Sequence, residues 1–350
     1  MTNVMNPLVL NICDRKVGDG QPCFVIAEIG SNHNQSFELA CKMIEAAAQA
    51  GVDAVKFQTF RASSHYSKKS PTFGYLGNID THALIQSLEL NRSWQVSLKS
   101  HAERLGLVFL SSPCDSDAIS GLSDLDVAAY KVASFDLPDD ALISEIAAIG
   151  KPIILSTGMA TWMDIQLAID AVHRAQNDQI ILLQCTSLYP APAELSNLNA
   201  IASMRAAFGT LVGYSDHTIG DHIALAAVAM GATVIEKHFT LDRTLPGPDH
   251  AFAIEPNEMA SLMKKIRDIE SAFGDGIKNG PRTEELEMAE KGRRSLHASI
   301  NIAAGQIISP DMIVAKRPGL GIPIFLKHQL IGRVARRDIE ADEWITWEMV

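Results

Sequence analysis

Cysteine is scarce and scattered in this chain. The five cysteines among its 350 residues stand at positions 13, 23, 41, 114 and 185, and no two of them form a C-x-x-C pair. An odd number at irregular spacing argues against a disulfide framework, and the lack of paired spacing argues against a zinc ribbon. We therefore expect reduced thiols and a cytoplasmic protein.

Long apolar runs and excess positive charge are also missing. The longest weakly interrupted apolar stretch, residues 223–235, is too short to cross a bilayer, and the first residues lack the pattern of a signal peptide. The formal net charge of −11 opposes binding to nucleic acid or to an anionic membrane. A small anionic substrate would need a local group of cations and hydrogen-bond donors.

Eight short segments rich in β-branched and apolar residues recur along the chain, each ending in polar residues. They are CFVIAEIG (23–30), AVKFQTF (54–60), LVFLSSP (107–113), AAYKVAS (128–134), PIILSTG (152–158), IILLQCTS (180–187), LVGYSDHT (211–218) and TVIEKHFT (233–240). Segments of helical periodicity alternate with them, at 37–50, 82–105, 139–149 and 162–176, and another at 256–273 follows. This alternation predicts a parallel sheet with helices outside, and eight units in about 250 residues predict a (β/α)8 TIM barrel. The first turn, EIGSNHN, is not G-x-G-x-x-G, which disfavours a dinucleotide fold.

The chain is predicted to divide into a barrel at residues 1–273, a linker rich in Gly, Pro and charge at 274–292, and a small β-rich module at 293–350. Within this module, residues 301–313 align without gaps to 338–350, with Ile302 matching Ile339 and Ile308 matching Ile345. A pseudo-symmetric unit of this size often depends on a neighbour for stability. We expect it to dock on the barrel or on a partner chain.

An extra polar segment, residues 61–80, lies between the second and third predicted strands. It holds Lys68, Lys69, Pro71, Gly74 and Gly77. It is interpreted either as a lid over the barrel mouth or as a solvated insertion.

Two histidines end consecutive predicted strands. His217 and His238 follow the seventh and eighth strands, and neighbouring strands lie about 4.8 Å apart, so the two imidazoles could meet on one metal ion. Glu236 shares the face of His238, and Glu28 lies on the first strand, beside the eighth. A two-histidine site suits a divalent first-row ion such as Mn²⁺, Co²⁺ or Fe²⁺, whereas the alternative is a pair of hydrogen-bonded structural histidines.

A second set of residues at the strand ends carries hydroxyl and ammonium groups. Such groups at one barrel mouth predict a cradle for phosphate or carboxylate, although serines at these positions also serve as helix N-caps. The two lysines favour the cradle, because a buried ammonium needs an anionic partner. The set comprises Lys56, Ser112, Lys131, Ser134, Ser156, Ser187 and Ser215.

The motifs together resemble those of the sialic acid synthase family, whose members make nine-carbon nonulosonic acids. They are AEIGSNHN, AVKFQTF, YKVASFD, KPIILSTGMAT, CTSLYP, GYSDHTIG, VIEKHFTLDR, GPDHAFAIEP and AKRPGLGI, in the order of the family and covering the chain from about Phe24 onward. The family fold is a TIM barrel followed by an antifreeze-like SAF domain. The resemblance implies condensation of phosphoenolpyruvate with an open-chain N-acetylated hexosamine, with release of phosphate.

The resemblance also implies roles for individual residues. His217 and His238 would hold Mn²⁺, with Mg²⁺ or Co²⁺ as alternatives, and Glu28 would bind or deprotonate a water. The cradle residues would hold phosphate and carboxylate, with Tyr189 lining that pocket, and the sugar would contact Gln58, Asp136 and Asp249. In the family's domain-swapped homodimers an arginine reaches the sugar's acyl group. Arg317 in KRPG matches it, unless it is a surface residue beside a turn.

Some residues depart from the neuraminate pattern. Ser134-Phe135-Asp136 replaces Ser-Gly-Glu, and together with Ser187 it resembles pseudaminate synthases, whereas GPDH (247–250) resembles neuraminate and legionaminate enzymes. The hexosamine is therefore open between N-acetylmannosamine and a diacetamido-deoxyhexose. A synthase for a phosphorylated sugar is disfavoured because the mouth offers few arginines. A non-catalytic glycan-binding or scaffold protein is the alternative of another class.

Overall fold

A computed structural model describes residues 7–72 and 80–350. The chain forms two compact units, Met1–Phe273 and Gly274–Val350. The first unit is a closed barrel of eight parallel strands, which confirms the predicted TIM barrel. Each of the eight predicted segments contains one of these strands. In chain order they are β3 (Phe24–Gly30), β4 (Ala54–Thr59), β5 (Val108–Pro113), β6 (Tyr130–Val132), β7 (Ile153–Ser156), β8 (Ile180–Cys185), β9 (Leu211–Asp216) and β10 (Val234–His238).

The barrel is closed at its amino-terminal end by a hairpin that the sequence analysis missed. Strands β1 (Val9–Ile12) and β2 (Arg15–Gly18) pair antiparallel. Ile12 and Val17 of this hairpin are fully buried in a cluster with interior side chains of the barrel strands, such as Phe24 and Leu110. An apolar plug at this end leaves the opposite, carboxyl end of the strands as the open mouth.

The described part of the first unit contains ten helices, of which the second and third contribute residues to the pocket at the mouth and the others cover the outside of the barrel. They are α1 (Phe37–Ala50), α2 (Ala62–His65), α3 (Thr81–Ser87), α4 (Gln95–Arg104), α5 (Ser116–Asp124), α6 (Asp140–Ala147), α7 (Trp162–Arg174), α8 (Asn199–Phe208), α9 (His222–Ala229) and α10 (Pro256–Ala272). Helix α1 shows why these segments are helical. Ser36 caps its first turn, Gly51 ends it in the left-handed region, and Ala40, Met43, Ile44 and Ala47 form a buried stripe at helical spacing.

The single helix predicted over 82–105 is wrong. The structure divides that segment into α3, a short 3-10 turn (Arg92–Trp94) and α4. Leu88 and Leu90 are buried between the two helices, and the Asn91 side chain accepts a hydrogen bond from Ser93 N. Such a local side-chain bond competes with helix continuation, which a periodicity pattern does not register.

The extra segment before α3 contains α2, and residues 66–72 continue from it without regular structure. Gly74 and Gly77 of the predicted lid lie outside the described residues. Within the described ranges, no helix combines the length and apolar character needed to cross a bilayer.

The second unit is built from two similar halves around an apolar core. Strands β11 (Ser295–Ala298) and β12 (Ile313–Lys316) pair antiparallel. Ile302 and Ile339, matched in the sequence repeat, exchange backbone hydrogen bonds of 2.9 and 2.8 Å. The 3-10 turns Pro310–Met312 and Trp347–Met349 occupy matching places in the two halves. Helices α11 (Leu286–Gly292) and α12 (Lys327–Leu330) complete the unit, so the segment expected as a linker contains a short helix.

His33 is buried in the loop between β3 and α1. Its Nδ1 accepts a hydrogen bond from Gln35 N at 3.1 Å, and its ring lies against Phe57 and Trp94. Burial lowers the pKa of His33 to about 4, because the charged imidazole would lose its hydration. At a pH between this value and the ordinary pKa of about 6.5, the folded protein therefore keeps this histidine neutral, whereas the unfolded chain binds a proton there.

We expect this histidine to make the barrel sensitive to acid. Between pH 6.5 and 4 the unfolded chain binds a proton at His33 that the folded chain does not bind. This histidine therefore lowers the free energy of unfolding at pH 5 by about 2 kcal/mol relative to pH 7. Denaturant unfolding at pH 7 and pH 5 should show a smaller loss in His33→Gln than in the parent. His173→Gln, at an exposed position on α7, serves as control, and equal losses in all three proteins would contradict the prediction.

Candidate active site

One pocket opens at the carboxyl ends of the barrel strands, because parallel strands deliver their last residues to the same rim. The structure brings together there every predicted site residue of the barrel except Ser187, which lies beside the lining. The lining includes Glu28, Lys56, Gln58, Ser112, Lys131, Ser134, Asp136, Ser156, Tyr189, Ser215, His217, Glu236, His238 and Asp249.

Four buried charged groups form the centre of this pocket. Lys56 Nζ lies 2.8 Å from Glu28 Oε2 and 3.7 Å from Glu236 Oε2. Lys131 Nζ lies 3.7 Å from Glu236 Oε1 and donates a hydrogen bond to the Val132 carbonyl at 3.0 Å. Two carboxylates and two ammonium groups leave the cluster without net charge, which is the condition under which charged groups tolerate burial.

The two lysines are not equally compensated. Burial opposes the charged form of Lys56, but Glu236 and Glu28 raise the pKa of this lysine above its usual range. Burial lowers the pKa of Lys131, because Glu236 compensates it only in part. Burial also disfavours the charged form of Glu28, and therefore raises its pKa. For Glu236 the ammonium groups of Lys131 and Lys56 outweigh the effect of burial and lower its pKa. Lys131 is therefore the ammonium that an incoming anion would stabilise most.

Hydroxyl groups surround the lysines. Ser112 Oγ accepts a hydrogen bond from Lys56 Nζ at 3.2 Å, and Ser215 Oγ donates one to Glu236 at 3.0 Å. Ser134 Oγ accepts one from the Gly158 backbone N–H at 2.9 Å. The buried hydroxyl oxygens of Ser156 and Ser187 have no partner among the described residues. Unpartnered buried hydroxyls beside ammonium groups are suited to binding an oxyanion.

The two histidines face the same pocket. His238 is the last residue of β10, His217 follows β9, and their ring centroids lie 5.4 Å apart. His217 Nδ1 lies 2.8 Å from the Thr186 carbonyl, which holds a proton on Nδ1 and leaves Nε2 as the free electron pair. Burial, with His217 and Lys56, lowers the pKa of His238 well below its usual value, so its imidazole is neutral.

These residues fit a divalent metal ion. His238 Nδ1 is a buried nitrogen without a hydrogen-bond partner in the described chain, 3.7 Å from Asp249 Oδ2. His238 is a neutral imidazole with an unpartnered nitrogen, and His217 beside it is oriented by a backbone carbonyl. Two such imidazoles are suitable ligands for a first-row metal ion. Water or substrate would have to supply the remaining ligands.

The outer part of the pocket is less charged. Gln58 Nε2 donates to Glu28 Oε1 at 2.9 Å, and the Tyr189 ring lies 4.4 Å from that of His217. Burial and Glu28 raise the pKa of Asp249 to about 6. Phe135 contributes an apolar side chain that is 55% exposed, and Leu84, Ile85 and Leu88 add further apolar side chains to the same pocket.

The match to known families covers most of the chain. A model of the NeuB family matches residues 43–278, and a model of the SAF domain matches residues 293–350. The chain belongs to the NeuB family. The second unit accordingly contains a SAF domain, as the sequence analysis predicted.

Several NeuB relatives align over nearly their whole length. The N,N'-diacetyllegionaminic acid synthase of Campylobacter jejuni serotype O:2 is 40% identical over 92% of this chain and 98% of its own. The pseudaminic acid synthase of Campylobacter jejuni serotype O:23/36 is 36% identical over 91% and 93%. The crystal structure of N-acetylneuraminic acid synthetase from Leptospira borgpetersenii, in complex with citrate, superimposes with a TM-score of 0.73 at 33% identity, covering 81% of this chain and 96% of that one.

Two residues predicted for the NeuB site are not among those that line the pocket. Ser187 is half-buried next to Gly158 and to Ser134 of the lining, and a Cβ added to the glycine would lie 2.3 Å from Ser187 Oγ. Arg317 belongs to the second unit, where it is exposed, follows β12 and donates through Nε to the Gly292 carbonyl at 2.6 Å. Its proposed contact with a sugar stays a prediction.

Sequence reasoning missed several residues that contribute to this mouth, and four of them bear on its chemistry. His65 and Cys114 line the pocket beside Asp136, Cys185 contacts His217, and Gly158 provides the space for two serine hydroxyls. The sequence held weak indications of these residues, because Cys114 and Cys185 stand at the ends of predicted strands and His65 lies in the extra segment. A lone cysteine or histidine carries no pattern that periodicity can detect.

We expect the two buried lysines to differ in their effect on stability. Lys56→Met leaves Glu28 and Glu236 facing a single distant ammonium, so the free energy of unfolding should fall by about 3 kcal/mol or more. Lys131→Met removes an ammonium whose burial is poorly compensated, so stability should stay within about 1 kcal/mol of the parent or rise. Denaturant unfolding at pH 7 measures both, with exposed Lys16→Met as control. Equal losses at the two positions would contradict this account of the cluster.

Proposed function

We propose that this protein is a nonulosonic acid synthase that condenses phosphoenolpyruvate with an open-chain N-acetylated hexosamine and releases phosphate. The observation that carries the proposal is the buried pair of Lys56 and Lys131 at a barrel mouth, beside unpartnered serine hydroxyls and two histidines whose ring centroids lie 5.4 Å apart. The relatives named legionaminic, pseudaminic and N-acetylneuraminic acid synthases support the same assignment.

Phosphoenolpyruvate is assigned to the part of the pocket lined by the lysines. Its phosphate and carboxylate oxygens would compensate Lys131 and accept hydrogen bonds from the Ser156 and Ser187 hydroxyls, which lack partners among the described residues. Ser112, Ser134 and Ser215 would complete the contacts. Charge-assisted hydrogen bonds of this kind are roughly twice as strong as neutral ones, so the anion would satisfy groups that are otherwise incompletely paired.

The carbon–carbon bond forms between carbon 3 of phosphoenolpyruvate and the aldehyde carbon of the sugar. His217 and His238 would hold Mn²⁺, which when bound supplies Lewis-acid polarisation of the aldehyde. As the bond forms, carbon 2 becomes electron-deficient and takes up the oxygen of a water. Glu28 would accept the proton of that water, since burial raises the pKa of Glu28 and Gln58 orients its other oxygen. The former aldehyde oxygen takes up a proton and becomes a hydroxyl. The tetrahedral product then breaks its carbon–oxygen bond to phosphate and gives its hydroxyl proton to the leaving phosphate, which forms the ketone.

The hexosamine is proposed to be unphosphorylated and to carry deoxy and acetamido groups. The described residues that line the pocket include no arginine, which a second phosphate would require for bidentate binding. Phe135, with Leu84 and Leu88, presents an apolar wall suited to a deoxy carbon. Asp136, Asp249 and Gln58 would contact the sugar's polar groups. The chain is 40% identical to the N,N'-diacetyllegionaminic acid synthase and 33% identical to the N-acetylneuraminic acid synthetase, which supports a diacetamido-deoxyhexose over N-acetylmannosamine.

We also propose a cytoplasmic, domain-swapped homodimer in which the SAF domain of one chain covers the pocket of its partner and supplies Arg317 to the sugar's acyl group. The SAF domain carries exposed apolar side chains, among them Ile307, Val334 and Phe325, that a partner surface would cover. The described cysteines are all free thiols, which supports a reducing compartment.

A substrate panel tests the reaction. Phosphate release from phosphoenolpyruvate should require both a divalent metal and an N-acetylated hexosamine, with the diacetamido-deoxyhexose faster than N-acetylmannosamine. Lys131→Met should lower the rate by at least about a hundredfold because it removes the charge that meets the anion. Lys16→Met should keep the parent rate. No release with any sugar of the panel would reject the synthase, and normal ligand binding by Lys131→Met would favour the scaffold alternative.

Metal binding can be measured without turnover. We expect His238→Ala to weaken Mn²⁺ binding by at least about tenfold, because it deletes one of two protein ligands. The electron paramagnetic resonance signal of free Mn²⁺ reports the bound fraction directly. His173→Ala, at an exposed position, should bind Mn²⁺ like the parent. A His238→Ala variant that unfolds globally would instead indicate a structural histidine, and circular dichroism of the same samples decides this.

A further inference from the structure

A second group of metal-type ligands lies on the wall of the same pocket, away from His217 and His238. His65 ends α2, Cys114 follows β5, and Asp136 lies in the 3-10 turn after β6. His65 Nε2 is 3.7 Å from Asp136 Oδ1, and Cys114 Sγ is 3.8 Å from Asp136 Oδ2. One ligand atom from each residue lies within 4.8 Å of the other two, and the described ranges contain no other trio of this kind.

The spacing of these atoms is close to that of a tetrahedral zinc site. Zinc bonds of about 2.3 Å to sulfur, 2.0 Å to nitrogen and 2.1 Å to oxygen place nitrogen and oxygen about 3.4 Å apart, and sulfur and oxygen about 3.6 Å apart. The observed separations of 3.7 and 3.8 Å run to the two different oxygens of Asp136 and exceed these values by a few tenths of an ångström, and the three ligand atoms all lie within 4.8 Å of one another. Small side-chain rotations would therefore bring the three donors onto one ion.

The donor set is chemically selective. A thiolate, an imidazole and a carboxylate match the ligands that Zn²⁺ uses, whereas Mn²⁺ and Mg²⁺ prefer oxygen and do not favour sulfur. His65 is 23% exposed and Asp136 12% exposed, so an ion from solvent can reach them. Three protein ligands also leave a fourth position open, and all three residues line the pocket.

We propose that His65, Cys114 and Asp136 form a second metal site that binds Zn²⁺ and thereby blocks the sugar part of the pocket. On binding, the Cys114 thiol releases its proton to solvent and its sulfur bonds to the ion. The inhibitory part rests on the proposed function, because it is there that Asp136 contacts the sugar. Zinc would occupy the same carboxylate and exclude the hexosamine.

Cobalt tests the site without turnover. Co²⁺ bound to a thiolate gives a near-ultraviolet sulfur-to-metal charge-transfer band, which two histidines alone cannot produce. We expect the full chain to show this band with Co²⁺, and Cys114→Ser to lose it. Cys185→Ser is the matched control, because Cys185 also lines the pocket and its Sγ lies 3.8 Å from His217 Nδ1. It should keep the band.

His65→Ala provides an independent test that keeps every cysteine. It should weaken the cobalt affinity measured from the same band by at least about tenfold, since it deletes one ligand. Absence of the band in the parent, its survival in Cys114→Ser, or its loss in Cys185→Ser would overturn the proposal. Unchanged affinity in His65→Ala would overturn it too.

Zinc inhibition is measured separately, with the sugar of the panel that supports phosphate release and with saturating Mn²⁺. The concentration of Zn²⁺ that halves the rate should rise at least about tenfold in Cys114→Ser, each variant being compared with its own zinc-free rate. Equal sensitivity would overturn the inhibitory role. If no sugar releases phosphate, the proposed function fails, while the cobalt spectrum still decides whether the metal site exists.

Discussion

The mouth of the barrel is organised around the burial of four charges. Lys56, Glu28, Glu236 and Lys131 are almost inaccessible to water, and each ammonium lies within 3.7 Å of a carboxylate oxygen. Isolated charges in this position would be expensive, so the pairs must stay in register and the strands that carry them must stay aligned. Parallel pairing of β3 with β4 and of β10 with β3 places Glu28 directly beside Lys56 and His238. The geometry of the site is thus a consequence of strand register.

The imbalance within this cluster links structure to the proposed chemistry. Lys56 is held by two carboxylates, whereas Lys131 has one distant carboxylate and a backbone carbonyl. An anion entering beside Lys131 completes a set of interactions that the protein alone leaves unfinished, which is how a net-negative chain can bind a negative substrate. The apolar hairpin at the opposite end closes the barrel there, so the polar groups meet at the mouth formed by the carboxyl ends of the strands.

Much of the fold was predictable because its determinants are local and periodic. Eight apolar strands ending in polar residues predicted the barrel, and helix α1 was predicted with the bounds Phe37–Ala50 that the structure shows. The β1–β2 hairpin was missed because its strands are four residues long and bury only two apolar side chains, those of Ile12 and Val17. The break between α3 and α4 was missed because the side-chain bond of Asn91 to Ser93 is invisible to a periodicity pattern. The placement of site residues at strand ends was predictable, since parallel strands share a rim.

The amino-acid sequence by itself determined the barrel, the SAF module and the set of strand-end residues, because alternating apolar periodicity and motif order are properties of the chain alone. Tertiary structure decided which of those residues touch. It made Lys131 rather than Lys56 the under-compensated ammonium, left the Ser156 and Ser187 hydroxyls without partners in the described chain, and assembled His65, Cys114 and Asp136 from three separate segments. Distances between side chains from distant segments depend on how the whole barrel closes, and no local pattern encodes them.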